Sequence, residues 1–336
     1  MMRNNNYLSP DYQNVYSSSS IPVIFDQKVS KYYSFEDAIE KGGFGTVFRA
    51  YSRETGEKVA IKRTKKCSSA SSVEIDHSKE EVYISVYLNH PNIVYCTESF
   101  SNHGETFYLV MEYMSYDLHY LLWEWKIEFK MGEKRNIFSS VCRGLEYLHN
   151  KNIVHRDIKS SNILINKNGD VKIGDFGLAI DKNFNHGPYD HGVGTITYSS
   201  PEVLLGEKSY DSSVDLWGLG IILVNLFRVK LFRSGCERDT DQLYYISTSV
   251  LYSSIFQFDF VPKVITVLAP RILHRYLKDL PESAKILTDK LLQYDPRERP
   301  SAKECLESDF LTEGEITPLK DLYKRRTTRK RSRTSH

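Results

Sequence analysis

The sequence predicts an α+β fold in which a strand-rich first third is joined to a larger, mainly helical part. Three observations carry that expectation. Apolar and β-branched runs separated by turn residues fill the stretch from Tyr33 to about Met111. Further on, Ile137, Val141, Leu145 and Leu148 repeat at helical spacing, and the apolar run from Leu216 to Phe227 reads as a buried helix. Between them lies VHRDIKSSNILINKNGDVKIGDFGLA, Val154 to Ala179, in which two short apolar runs flank the turn Asn168-Gly169-Asp170.

That middle block carries the chemistry. A hairpin made of Ile163 to Ile165 and Val171 to Ile173 returns Asn162 and Asp175 to each other's side, since they flank its two ends. Two neighbouring oxygen ligands, completed by triphosphate oxygens, suit Mg²⁺. Asp157 lies one short loop away, placed to accept a proton from an incoming hydroxyl.

Taken in order, residues 1 to about 30 are rich in Asn, Ser and Tyr and read as a disordered leader, with a docked strand at Ile21 to Phe25 as the alternative. Phe35 to Ile39, Gly45 to Tyr51 and Glu57 to Lys62 read as three strands, the last two joined by Arg53-Glu54-Thr55-Gly56. Glycines in the turn Lys41-Gly42-Gly43-Phe44-Gly45 allow backbone N–H groups to approach phosphate oxygens where a Cβ would obstruct. Lys62 closes the buried strand Val59-Ala60-Ile61, so its ammonium must face an anion. Ser78 to Asn89 is a helix with Val82 and Val86 on one face, and Phe107 to Met111 an apolar strand. Asp181 to Gly194 is a long aperiodic loop, and loops of that kind are usually functional. From 312 to 336 the chain reads as a basic, disordered tail, its run Lys324 to Arg333 being KRRTTRKRSR.

Composition narrows the class. At 336 residues with 40% hydrophobic content the chain holds a sizeable core, and a net charge of +2 gives the chain as a whole no polyanion-binding character. The five cysteines are scattered without metal or disulfide spacing, which fits a reducing, intracellular compartment. The longest apolar run is too short for a bilayer, so no membrane partner is expected.

The block from His155 to Gly177 resembles the catalytic and magnesium loops of the eukaryotic protein kinases, with His155-Arg156-Asp157 through Asn162 matching the first and Asp175-Phe176-Gly177 the second. The likeness runs from about Tyr33 to Leu311. It implies a bilobal fold: a β-rich N-lobe at 31–111, a hinge at 112–117 and a mainly helical C-lobe at 118–311. It further implies ATP and Mg²⁺ as cofactors, with Asp157, Lys159, Asn162 and Thr195 catalytic and Asn162 and Asp175 holding metal. Phosphates would lie under Gly42, Gly43, Phe44 and Gly45, with Ile39, Val47 and Ala60 around the nucleotide. Lys62 would be oriented by Glu81, the alternative for Glu81 being a solvated helix face; if the pair forms, Glu80 is the solvated one. Met111, Glu112, Met114 and Asp117 would line the adenine side. Glu202 would pair with Arg299, and Asp215 would brace the catalytic loop.

Lys159 and the Gly194-Thr195 region look like a serine/threonine kinase, and the phrases Leu88 to Val94, Pro201 to Gly206 and Leu291 to Pro296 resemble the cyclin-dependent branch. The partners implied are protein substrates with Ser or Thr acceptors. Departures from that branch leave a cyclin-like subunit and proline direction open: Ile75 to Glu81 is charged where the family has an apolar anchor, Ser199 replaces an arginine, and Val193-Gly194 replaces a Val-Val pair. The family's first loop glycine is Glu40, and its inhibitory Thr-Tyr pair is Gly43-Phe44. Asp190 takes the place of the activating threonine, from which pairing with Arg156 and phosphorylation-independent activity are expected, the alternative being that Tyr189 or another loop residue takes over the switch. The rival class is a pseudokinase scaffold, against which Lys62, Asp157, Asn162 and Asp175 all stand intact. A nucleic-acid-binding role is not expected, because the basic residues cluster in the tail; nuclear import is the first reading of that run, giving a nuclear or cytoplasmic location.

Overall fold

Turn residues and β-branched runs place the strands of one twisted sheet. The computed structural model describes residues 23–25, 29–43, 45–64, 77–102, 106–184, 187–189, 194–229, 231 and 277–325. Strands β1 (Val23–Phe25), β2 (Tyr33–Lys41), β3 (Gly45–Ser52), β4 (Lys58–Thr64), β5 (Cys96–Asn102) and β6 (Thr106–Glu112) assemble in the order β1-β5-β6-β4-β3-β2. All neighbours are antiparallel except β1, which runs parallel to β5 with Val23 opposite Ser99. The docked-strand alternative therefore holds for part of the leader, and Val29–Lys31 adds a 3₁₀ turn that buries Val29. The physical reason is the edge of β5, whose backbone groups gain partners from β1. One face of the sheet is sealed by Tyr33, Val59, Ile61, Phe100 and Val110 around Val29.

Helix α1 (His77–Tyr87) lays Val82 and Val86 on the other face, against Cys96, Phe107 and Leu109. Below it, α2 (Met131–Asn150) buries Ile137, Val141, Leu145 and Leu148, the stripe its spacing foretells. Short α3 (Pro201–Leu204) leads to α4 (Ser213–Leu226), in which every residue is buried. A helix apolar all round belongs in the centre of a lobe. Helices α5 (Glu282–Leu291), α6 (Ala302–Leu306) and α7 (Asp309–Thr312) close around it, the pairs α2–α6 and α4–α5 being in contact. Among the described residues, no helix is long and apolar enough to cross a membrane.

The chain after α7 departs from the expected disordered tail. Leu319 and Leu322 are buried in the helical core. Thr317 N donates to Gly132 O at 3.1 Å, Asn136 Nδ2 to Thr317 O at 3.0 Å, and Arg325 reaches both Glu133 oxygens at 2.8 and 3.1 Å. Two leucines three residues apart present one apolar face, which outweighs the charge of the run that follows. Residues 326–336, most of the basic run, lie outside the described residues.

Candidate active site

The floor of the site is a hairpin. Beyond β8 (Ile153–Val154), strands β9 (Ile163–Ile165) and β10 (Val171–Ile173) pair antiparallel, Ile163 opposite Ile173 and Ile165 opposite Val171, and β7 (Tyr116–Asp117) adds a third strand. Asn166 closes the turn by accepting the N–H groups of Asn168 and Asp170 at 2.9 and 3.0 Å. Gly169 has φ +93°, and a Cβ there would lie 2.2 Å from Leu319 O. At the open end Gly174 N donates to Asn162 O at 2.9 Å, so Asn162 and Asp175 stand beside each other.

Asp157 sits on a loop fixed from beneath. Buried Asp215, near the start of α4, accepts the backbone N–H of His155 at 2.9 Å and of Arg156 at 2.8 Å, and contacts His149 Nε2 at 2.9 Å. Burial works to raise the Asp215 carboxyl, but these bonds outweigh it and hold the pKa below the usual range. That clamp supports a left-handed Arg156 at φ +65°. Above it, Asp157 Oδ1 accepts from Thr195 N at 3.1 Å and Thr195 Oγ1 at 2.9 Å. Its Oδ2 meets Lys159 Nζ at 2.6 Å and Asn162 Nδ2 at 3.1 Å. Lys159 Nζ also donates to Thr195 Oγ1 at 2.9 Å. The structure thus brings Asp157, Lys159, Asn162 and Thr195 into one network.

Lys62, from β4, bridges the lobes. Its ammonium forms an ion pair with Glu81 of α1 and another, at 2.7 Å, with Asp175 Oδ1. Burial alone would lower the Lys62 pKa, but the two carboxylates reverse this and keep it charged. Burial likewise tends to raise Asp175, and Lys62 wins, holding that carboxyl below its usual value. Glu80 is not the solvated member of the acidic pair. It is buried, and its Oε1 accepts Asp181 N at 3.3 Å from β11 (Ile180–Asp181). Helix α1 is sandwiched between the sheet and β11, so neighbouring residues on it both face protein.

A cleft of about 580 Å³ separates the lobes. Ile39, Gly42, Gly45, Val47, Ala60, Lys62, Glu81, Met111, Glu112, Met114, Asp117, Asn162 and Asp175 all line it. Gly43 is exposed at the turn above, and Phe44 lies outside the described residues. At Gly42 and Gly43 a Cβ would meet nothing within 4 Å, whereas at Gly45 it would lie 2.4 Å from Arg63 O. Glu40 also lines the cleft; desolvation and then the Asp175 carboxylate raise its pKa. Glu112 is locked by Lys172 Nζ at 2.6 Å and Tyr95 N at 2.7 Å.

Sequence reasoning passed over three contributors. His155 contacts Gly174 O at 3.0 Å through Nε2 and packs on Phe176, tying the catalytic loop to the hairpin's exit. Tyr116 and Tyr120 flank the cleft mouth. His155 lay within the matched motif and was legible there; the tyrosines carry no local pattern. Distal to the site, Arg299 grips Glu202 at 2.7 and 2.8 Å. Ile75, Asp190 and Val193, on which three of the departures rest, lie outside the described residues.

Two oxygen-bearing side chains side by side, one ionised beside a cleft of this size, fit a hard cation carrying phosphate oxygens. The protein kinase domain model matches residues 33–311, and the chain belongs to the protein kinase family, in its cyclin-dependent-kinase-like serine/threonine branch. It is 31% identical to CTD kinase subunit alpha of Saccharomyces cerevisiae, over 87% of this chain and 57% of that protein. It is 36% identical to Cyclin-dependent kinase F-3 of Oryza sativa subsp. japonica, over 83% and 65%. It is 32% identical to Cyclin-dependent kinase 9-B of Xenopus laevis, over 87% and 83%. The chain thus spans between half and two thirds of the length of the first two.

Proposed function

We propose that this chain transfers the γ-phosphoryl group of ATP to serine or threonine hydroxyls of proteins. The observation that supports it best is that Lys62, Asn162 and Asp175 line one cleft while Asp157, bonded to Asn162 Nδ2 at 3.1 Å and to Lys159 Nζ at 2.6 Å, stands beside them. Asn162 and Asp175 would hold Mg²⁺, which would supply neutralisation of the phosphate charge. Lys62 holds the α- and β-phosphates. Asp157 orients the acceptor hydroxyl and takes its proton as the oxygen attacks phosphorus. Lys159, already beside Asp157, offsets charge on the moving phosphoryl oxygens. Most of the acceleration comes from positioning and electrostatics.

The regulatory reading is finer. The ordered Lys62–Glu81–Asp175 chain and the Thr195–Asp157 bonds support a kinase competent without phosphorylation of its activation segment. A cyclin-like subunit is the partner suggested by the relatives' names, and the basic C-terminal run supports a nuclear location. Glu40 is the one cleft residue that favours the rival reading of a nucleotide-poor scaffold, through its negative charge beside the phosphate path.

The test is transfer of labelled γ-phosphate from ATP–Mg²⁺ to a basic protein by bacterially made full chain, beside Asp157→Asn. We expect transfer that falls about a thousandfold in the variant while nucleotide binding persists. ATP bound without transfer, at any protein concentration and with phosphorylated or cyclin-supplemented enzyme alike, would favour the scaffold.

A further inference from the structure

The guanidinium of Arg156 immediately precedes the proposed base, and its surroundings are unlike those of a surface arginine. Its Nε donates to Leu178 O at 2.6 Å and its Nη1 to Tyr210 Oη at 3.3 Å. The ring of Tyr189, from the activation segment, lies 5.9 Å from its Cζ. Tyr189 is itself 5% exposed and packs at 4.9 Å on Tyr210, within a cluster completed by Val154, Ile180 and Val214. Its backbone is fixed too, Tyr189 N donating to Lys208 O at 2.9 Å. The carboxylate of buried Glu80 adds negative charge near Tyr189, which disfavours a phosphate there. Arg156 thus lies within cation–π reach of a buried aromatic ring, a contact that gains from desolvation.

We propose that Tyr189 is a positioning residue: its ring, clamped on Arg156 and Tyr210, holds the activation segment against the catalytic loop and so sets Asp157. This rests on the reading of the chain as a kinase competent without segment phosphorylation, and names the device that replaces the phosphate. A ring suffices for the clamp. Tyr189→Phe keeps the aromatic face and Tyr189→Ala removes it.

The test uses the full chain, phosphatase-treated, with each variant assayed for kcat, for KM of ATP, and for hydrogen exchange across residues 187–205. For Tyr189→Ala we expect kcat to fall about tenfold or more with KM for ATP within about twofold, and faster exchange confined to the segment. Tyr189→Phe should restore both readouts to near wild type. A Phe variant as impaired as Ala, an Ala variant with unchanged exchange, or exchange raised uniformly across the C-lobe would each overturn the proposal. Wild-type protein that transfers no phosphate would sink the kinase reading separately, because the exchange comparison still decides on the clamp.

Discussion

Below the cleft, Asp157 is held by Thr195, Lys159 and Asn162, its loop is hung from buried Asp215, and the adjoining hairpin is pinned at both ends. Above it, Lys41, Gly42 and Gly43 are exposed, and a Cβ at either glycine would touch nothing. In the function proposed above, both surfaces face the same nucleotide. Proton transfer and metal ligation tolerate little misplacement, so the floor is over-determined. A nucleotide must enter and leave, so the roof is left with room to move. On that reading, dense bonding lies where atoms react and open space where ligands exchange.

Breaking the floor should cost most. Asp215→Asn keeps one acceptor oxygen but turns an NH2 toward the other of the His155 and Arg156 N–H groups, leaving a buried donor facing a donor. We expect a stability loss of about 3 kcal/mol in thermal or urea unfolding, with loss of transfer. The contribution of Asp215 also has a pH signature. Its folded pKa lies below the unfolded one, so its stabilisation is full above the unfolded carboxylate value and disappears as pH falls through the folded value. The Asn variant should lose that part of the acid dependence.

Gly169→Ala tests whether the C-terminal segment belongs to the floor. The added methyl meets Leu319 O in a left-handed backbone, which should cost about 2 kcal/mol in a melting experiment and reduce kcat more than KM for ATP. A rise in KM alone would assign the segment to the roof instead.

The smallest effect belongs to the roof. Glu40→Gly removes a carboxylate beside the phosphate path and should lower KM for ATP about threefold at neutral pH, with melting nearly unchanged. Because the Glu40 pKa is raised, the carboxyl takes up a proton at higher pH than a free glutamate, and its repulsion fades on acidification. The ratio of the two KM values should therefore approach one as pH falls toward the acidic end of the activity range.

Much of the floor was legible from residue order. Asn162 and Asp175 flank a hairpin whose turn and strands announce themselves, and Lys62 follows an apolar stretch of its strand that leaves its charge no water to face. The roof's glycines were equally plain. What escaped depended on packing between distant segments. Glu80 and Glu81 look alike in sequence, and only the sandwich around α1 shows that both are buried. Tyr189 and Tyr210 are twenty-one residues apart and meet over Arg156 without any periodic signal. Leu319 and Leu322 were overshadowed by the basic run beside them, although their spacing of three held the clue.

That last contact has a mechanical consequence. The carbonyl of Leu319 is seated on Gly169, in the turn whose two strands end at Asn162 and Asp175. The Arg325–Glu133 pair stands between this seat and the end of the chain. A tether, fusion or surface attached beyond Arg325 would load that ion pair first, then peel the two leucines, and then unload the hairpin. The segment from Leu319 to Arg325 is a handle on the floor proposed to hold metal.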